Sequence, residues 1–124
     1  MRPSPPRQLR VLIVEDEMLV ATELAQMVSD AGYTPVGPVS TVLKALEIIA
    51  DEPLDAALLD YRLVGETSVP VSEALEAKRV PFAIASAFVG DDLPVSYRGR
   101  PQIAKPFLEK QVFAILAILM PAGL

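Results

Sequence analysis

The chain has 124 residues, a net charge of −5, 52% hydrophobic residues, and neither cysteine nor histidine. That length holds one ordinary domain of compact rather than disordered composition, and the two missing residue types exclude disulfides, thiol nucleophiles, imidazole or thiolate metal sites, Ser-His triads and phosphohistidine chemistry within it. The acidic balance suits a phosphate backbone poorly, and no apolar run approaches the roughly 18 residues of a membrane span, so a cytoplasmic protein with no direct nucleic-acid partner and no membrane partner is expected.

Residues 1–8 are proline-rich and polar and are expected to form a disordered leader, followed by one domain over 9–120 and a short tail over 121–124. Leu9 to Val14 is almost wholly aliphatic and reads as a strand buried on both faces. Val20, Leu24, Met27, Val28 and Ala31 recur at helical spacing, with Gly32 placed to end that helix. Pro35 to Val39 is a second strand, weakened by its prolines and expected near an edge. Ser40 or Thr41 caps a second helix carrying Leu43, Ala45, Leu46 and Ile49, which Pro53 closes. Ala56 to Leu59 makes a third buried strand, Val71 to Lys78 a third helix with Pro70 at its start, and Phe82 to Ala85 a fourth strand. From Ala87 to Pro101, Gly90, Pro94, Gly99 and Pro101 interrupt every helical window, so at most one turn is expected there. Gln102 to Ala104 is a brief fifth strand and Leu108 to Met120 a final helix. This alternation predicts an α/β, doubly wound, five-stranded parallel sheet whose fourth helix is atypical or absent.

In such a sheet, function gathers beyond the carboxyl ends of the strands. The residues there are Glu15 and Asp16, Asp60, Ser86, and Lys105 before Pro106. Each acid taken alone is explained as a helix cap, Ser86 as a small residue after a strand and Lys105 as a solvated lysine. Taken together they put three carboxylates, a hydroxyl and an ammonium in one crevice. Converging carboxylates repel unless a cation joins them, and their hard oxygens suit Mg²⁺. A carboxylate beside Mg²⁺ and a lysine can attack a phosphoryl donor and form an acyl phosphate.

The motifs Val11-Leu12-Ile13-Val14-Glu15-Asp16-Glu17, Ala57-Leu58-Leu59-Asp60, Ile84-Ala85-Ser86-Ala87 and Lys105-Pro106-Phe107 follow four strands in this order. In these the chain resembles, over residues 9–119, the receiver domain of a two-component response regulator. The resemblance implies a flavodoxin-like sheet of order 2-1-3-4-5 and a phosphoacceptor at Asp60. It also implies Mg²⁺ bound by Asp16, by Glu15 through water, by Asp60 and by the backbone carbonyl of Arg62. Ser86, Lys105 and the Ala87 N–H would hold the phosphoryl group, and a cis Lys105-Pro106 bond would be in keeping. The donor would be a histidine kinase or histidine phosphotransferase.

Three features depart from the common pattern. Gln102 stands where many receivers have a switching aromatic; Phe88 either substitutes for it or anchors its loop. Arg62, two residues beyond Asp60, either leans over the site or is exposed. The run Phe82-Ala83-Ile84-Ala85-Ser86-Ala87-Phe88 is loosely similar to a subgroup with a Phe-Ala-Thr-Gly-aromatic signature that works with kinases of the HWE or related type. Ser86 there replaces threonine and Ala87 glycine, and the resemblance implies an atypical fourth-helix region as the output surface. The last helix is apolar nearly all round, and its outer face is expected at Phe113 and Ala117, covered by a homodimer or partner or left as a modest exposed patch.

The expected function is that of a stand-alone receiver, phosphorylated on Asp60 and signalling through contact with another, unknown protein. It is a phosphoacceptor that assists its own chemistry rather than an enzyme. A degenerate receiver acting as a constitutive binding module, or a phosphate sink, is the alternative. A small phosphohydrolase built on Asp60 would want a second acid where Arg62 stands.

Overall fold

The structure, a computed structural model, describes residues 8–87 and 93–121, and only the backbone of Ser96 and Arg98. In chain order the elements are β1 (Arg10–Val14), α1 (Met18–Asp30), β2 (Thr34–Val39), α2 (Val42–Asp51), β3 (Ala56–Leu59), β4 (Arg62–Leu63), β5 (Glu66–Thr67), α3 (Val69–Ala77), β6 (Phe82–Ser86), α4 (Val95–Arg98), β7 (Gln102–Ala104) and α5 (Glu109–Leu119). Five strands form a parallel sheet in the order β2-β1-β3-β6-β7, the expected 2-1-3-4-5 when its strands alone are counted.

The sheet is covered on both faces, so its central strands need no polar side. Side chains alternate between the faces along each strand. Val11, Ile13, Ala56, Leu58, Ala83 and Ala85 pack beneath α1 and α5, against Leu24, Val28, Val112 and Leu116. Leu12, Val14, Ala57, Leu59, Phe82 and Ile84 pack on the other side against Ala45, Ile49, Val71 and Leu75.

Thr41, not Ser40, caps α2 by accepting a hydrogen bond from the Lys44 N–H (3.2 Å). α3 begins two residues before the expected Val71, and Pro70 sits in its first turn, where a missing N–H costs nothing. The antiparallel hairpin of β4 and β5, turning at Gly65 (φ +74°), was not foreseen, because two-residue strands carry no periodic signal. Glu66 on this hairpin accepts a hydrogen bond from the Val42 N–H at the start of α2 (3.0 Å). The single-turn α4 agrees with expectation, as does the cis Lys105-Pro106 bond.

The outer face of α5 requires a correction: Phe113 is half-buried, and the exposed face is Ala114, Ala117 and Ile118. A helix apolar all round does not announce its phase. Of the expected leader, residues 1–7 lie outside the described residues; Gln8 is described and accepts from the Thr34 hydroxyl (2.6 Å). Residues 122–124 of the expected tail lie outside them too.

Gly37 lies on edge strand β2 at φ +89°, and a Cβ there would meet Val39 N at 2.8 Å and the Ile13 carbonyl at 3.2 Å. Gly32 also has positive φ but has open space around it. Gly37→Ala is therefore expected to lower stability by more than about 1 kcal/mol and by more than Gly32→Ala does, read as midpoints of urea unfolding. Equal midpoints for the two variants would contradict this.

Candidate functional site

Parallel register brings the expected residues together. Asp60 follows β3, and its N–H bonds the Val14 carbonyl (2.9 Å). Glu15 follows β1, with its N–H on the Val39 carbonyl (3.0 Å). Ser86 ends β6, and the Lys105 N–H bonds its carbonyl (3.1 Å). The main chain thus fixes four residues at one end of the sheet before any side chain acts.

The two Asp60 oxygens are divided between two partners. Ser86 Oγ donates to Oδ1 at 2.7 Å, and Lys105 Nζ lies 2.8 Å from Oδ2. Lys105 Nζ also reaches Glu15 Oε1 at 2.6 Å and, more loosely, Glu17 Oε1 at 3.5 Å. Ser86 is wholly buried, Glu15 is 3% exposed and Asp60 6%. Beside the acids opens a cleft of about 400 Å³, bordered by Glu15, Asp16, Thr22, Ser40 and Lys44.

Burial pushes the Glu15 carboxyl up to about 7, against the opposing pull of Lys105 and of the Glu17 N–H, which donates to Glu15 Oε2. Burial disfavours the Lys105 charge, but the Asp60 and Glu15 carboxylates beside it outweigh that and hold the ammonium above its ordinary value. The acids therefore outnumber the one ammonium among them. Glu15, Asp16 and Asp60 each offer an oxygen within 4.8 Å of the others. Glu15 Oε1 is buried and makes no hydrogen bond among the described residues, its contact with Lys105 being an ion pair. An all-oxygen, net-negative set of this kind fits a hard divalent cation such as Mg²⁺.

The remaining expected residues are less central. Arg62 begins the hairpin, and its exposed guanidinium lies 5.8 Å from the Tyr61 ring centroid. Ala87 directly follows β6 and is exposed. Gln102 is half-buried and points its amide at the Tyr97 carbonyl over a long 3.5 Å. Phe88 lies outside the described residues. Glu17 reads from the sequence as a helix-capping acid, and its charge beside two other acids is the signal that places it near the site. Ser68 and Tyr97 are lone polar residues that carry no signal at all in the sequence.

An acid pocket with a bridging lysine at the carboxyl ends of a 2-1-3-4-5 sheet is the architecture of a receiver. The chain belongs to the receiver-domain family of two-component response regulators, which are signalling modules rather than metabolic enzymes. It is similar to SdrG from Sphingomonas melonis Fr1, at 42% identity over 91% of this chain and 97% of that one, with a TM-score of 0.79. SdrG in its BeF₃-activated conformation matches at 43% identity over 90% of this chain and 95% of that one, with a TM-score of 0.78. The receiver domain of the sensor histidine kinase PA1611 from Pseudomonas aeruginosa PAO1, solved with a magnesium ion in its active-site cleft, is 25% identical over 91% of this chain and 98% of that one (TM-score 0.78). The transcriptional regulatory protein PdtaR of Mycobacterium tuberculosis is 30% identical over 102 residues, 79% of this chain and 50% of PdtaR. The chain spans about half the length of the curated relatives it matches. No protein-family model matches it. Among the described residues no helix is long and apolar enough to cross a membrane.

Proposed function

We propose that Asp60 accepts a phosphoryl group from a histidine kinase or histidine phosphotransferase and that the altered surface then engages or releases another protein in the cytoplasm. The observation that carries this reading is the division of the Asp60 oxygens between Ser86 and Lys105. A carboxylate oxygen of Asp60 attacks phosphorus, the new P–O bond forms as the bond to the donor nitrogen breaks, and the donor imidazole leaves. Lys105 moves with the charge that grows on the phosphoryl oxygens, and the Ser86 hydroxyl and the Ala87 N–H donate to the same oxygens. Glu15, Asp16, Asp60 and the Arg62 carbonyl would hold Mg²⁺, which supplies positive charge to the incoming phosphoryl group when bound. Glu15 and Asp60, both closer to Lys105 than Glu17 is, hold the ammonium in the pocket. BeF₃⁻ mimics an acyl phosphate, and a relative at 43% identity has a BeF₃-activated conformation, which supports a response to phosphorylation here.

With Mg²⁺ and acetyl phosphate, the protein is expected to gain the mass of one phosphoryl group, removable by hydroxylamine as an acyl phosphate is. No gain with that donor or with a phosphorylated histidine phosphotransferase would overturn the reading.

A further inference from the structure

The largest fully buried side chain among the described residues lies outside the acid pocket: it is Tyr97, on α4. Its ring stands edge-on to Tyr61 (centroids 5.6 Å apart, planes at 78°) and to Phe82 (6.2 Å, 68°). Its hydroxyl is 2.9 Å from that of Ser68, which is also wholly buried. Ser68 in turn donates its backbone N–H to the carbonyl of Tyr61, the residue after Asp60 (2.9 Å). Ser68 therefore holds the neighbour of Asp60 with its main chain and α4 with its side chain.

α4 has little strength of its own. A four-residue helix closes almost no internal hydrogen bonds and cannot persist alone, so its seat depends on side-chain anchors. Among the described side chains, Tyr97 on α4 and Leu93 just before it are buried, while Val95 is 76% exposed. Burying hydroxyls is unfavourable unless they are hydrogen-bonded, so the Ser68–Tyr97 contact, beside the buried Ser72, favours the seated position of α4.

We propose that Ser68 and Tyr97 form a latch that seats α4 against the segment following Asp60 and opens when Asp60 is loaded. The proposal rests on the reading of Asp60 as phosphoacceptor. Loading changes which partners Ser86 and Lys105 serve and adds bulk beside Tyr61, and the hydrogen bond from the Ser68 N–H to the Tyr61 carbonyl passes that change to the Ser68 hydroxyl. Once the hydroxyls part, α4 leaves its seat and the surface around Val95 changes.

The test is hydrogen exchange of the peptide spanning residues 93–101 in the wild type, Tyr97→Phe and Ser68→Ala, each with and without beryllofluoride and Mg²⁺. In the wild type, loading is expected to speed exchange about tenfold or more; in both variants exchange is expected to be fast without loading and to change less than about twofold on loading. Tyr97→Phe keeps the ring against Tyr61 and Phe82, and Ser68→Ala keeps Tyr97 intact, so neither variant empties the core. A wild-type response to loading in both variants overturns the latch, even if their unloaded exchange is faster, because a merely structural contact would behave so. Slower exchange on loading of the wild type overturns it as well. If the wild type takes up neither phosphoryl group nor beryllofluoride, the phosphoacceptor reading fails; equal unloaded exchange in all three proteins would then overturn the latch separately.

Discussion

Asp60→Asn is expected to take up no phosphoryl group from acetyl phosphate under conditions in which the wild type gains one. The amide has no carboxylate oxygen to attack phosphorus, and none of the neighbouring acids shares the geometry of Asp60. Among the described acids of the pocket, Asp60 is the one that accepts from the Ser86 hydroxyl and meets Lys105 with its other oxygen. The variant should still fold: its backbone N–H keeps the Val14 carbonyl, its side-chain oxygen can still accept from Ser86, and Lys105 keeps Glu15 at 2.6 Å. Intact mass spectrometry reads the result directly. Uptake by the variant at the wild-type rate would move the acceptor elsewhere, with Asp16 the next carboxylate to examine.

Lys105→Ala is expected to produce two effects of opposite sense. Phosphoryl uptake slows about 100-fold, the usual loss when one positioned donor to a developing anion is removed. Mg²⁺ binding, followed by calorimetry or by the thermal shift it causes, becomes tighter. The lysine is the cation that offsets Glu15, Asp60 and Glu17, and removing it leaves a more negative pocket for a divalent ion to occupy. A variant that loses its uptake through misfolding would lose Mg²⁺ binding as well, so the pairing of slower chemistry with tighter metal identifies the electrostatic role. Uptake at the wild-type rate would remove Lys105 from the chemistry.

Much of the acid pocket is legible in the sequence because Glu15 after Val11–Val14, Asp60 after Ala56–Leu59 and Ser86 after Phe82–Ala85 each directly follow a run of apolar residues, where a buried parallel strand emerges. A strand that is apolar on both faces has no other way to read. The hairpin at 62–67 had no such marker, since two residues per strand cannot set up an alternation. The exposed face of α5 was misjudged at Phe113 for the related reason that a helix apolar all round has no stripe to give its phase.

Apolar runs and the residues that end them give a doubly wound sheet with acids, a hydroxyl and a lysine at its strand ends, and the motifs at those ends carry the resemblance to a receiver. How Lys105 is shared among Glu15, Glu17 and Asp60, and that Ser68 and Tyr97, 29 residues apart, meet in the core, follow from packing. Such contacts join residues from separate elements, and no short-range pattern records which side chains meet once the sheet and helices have packed.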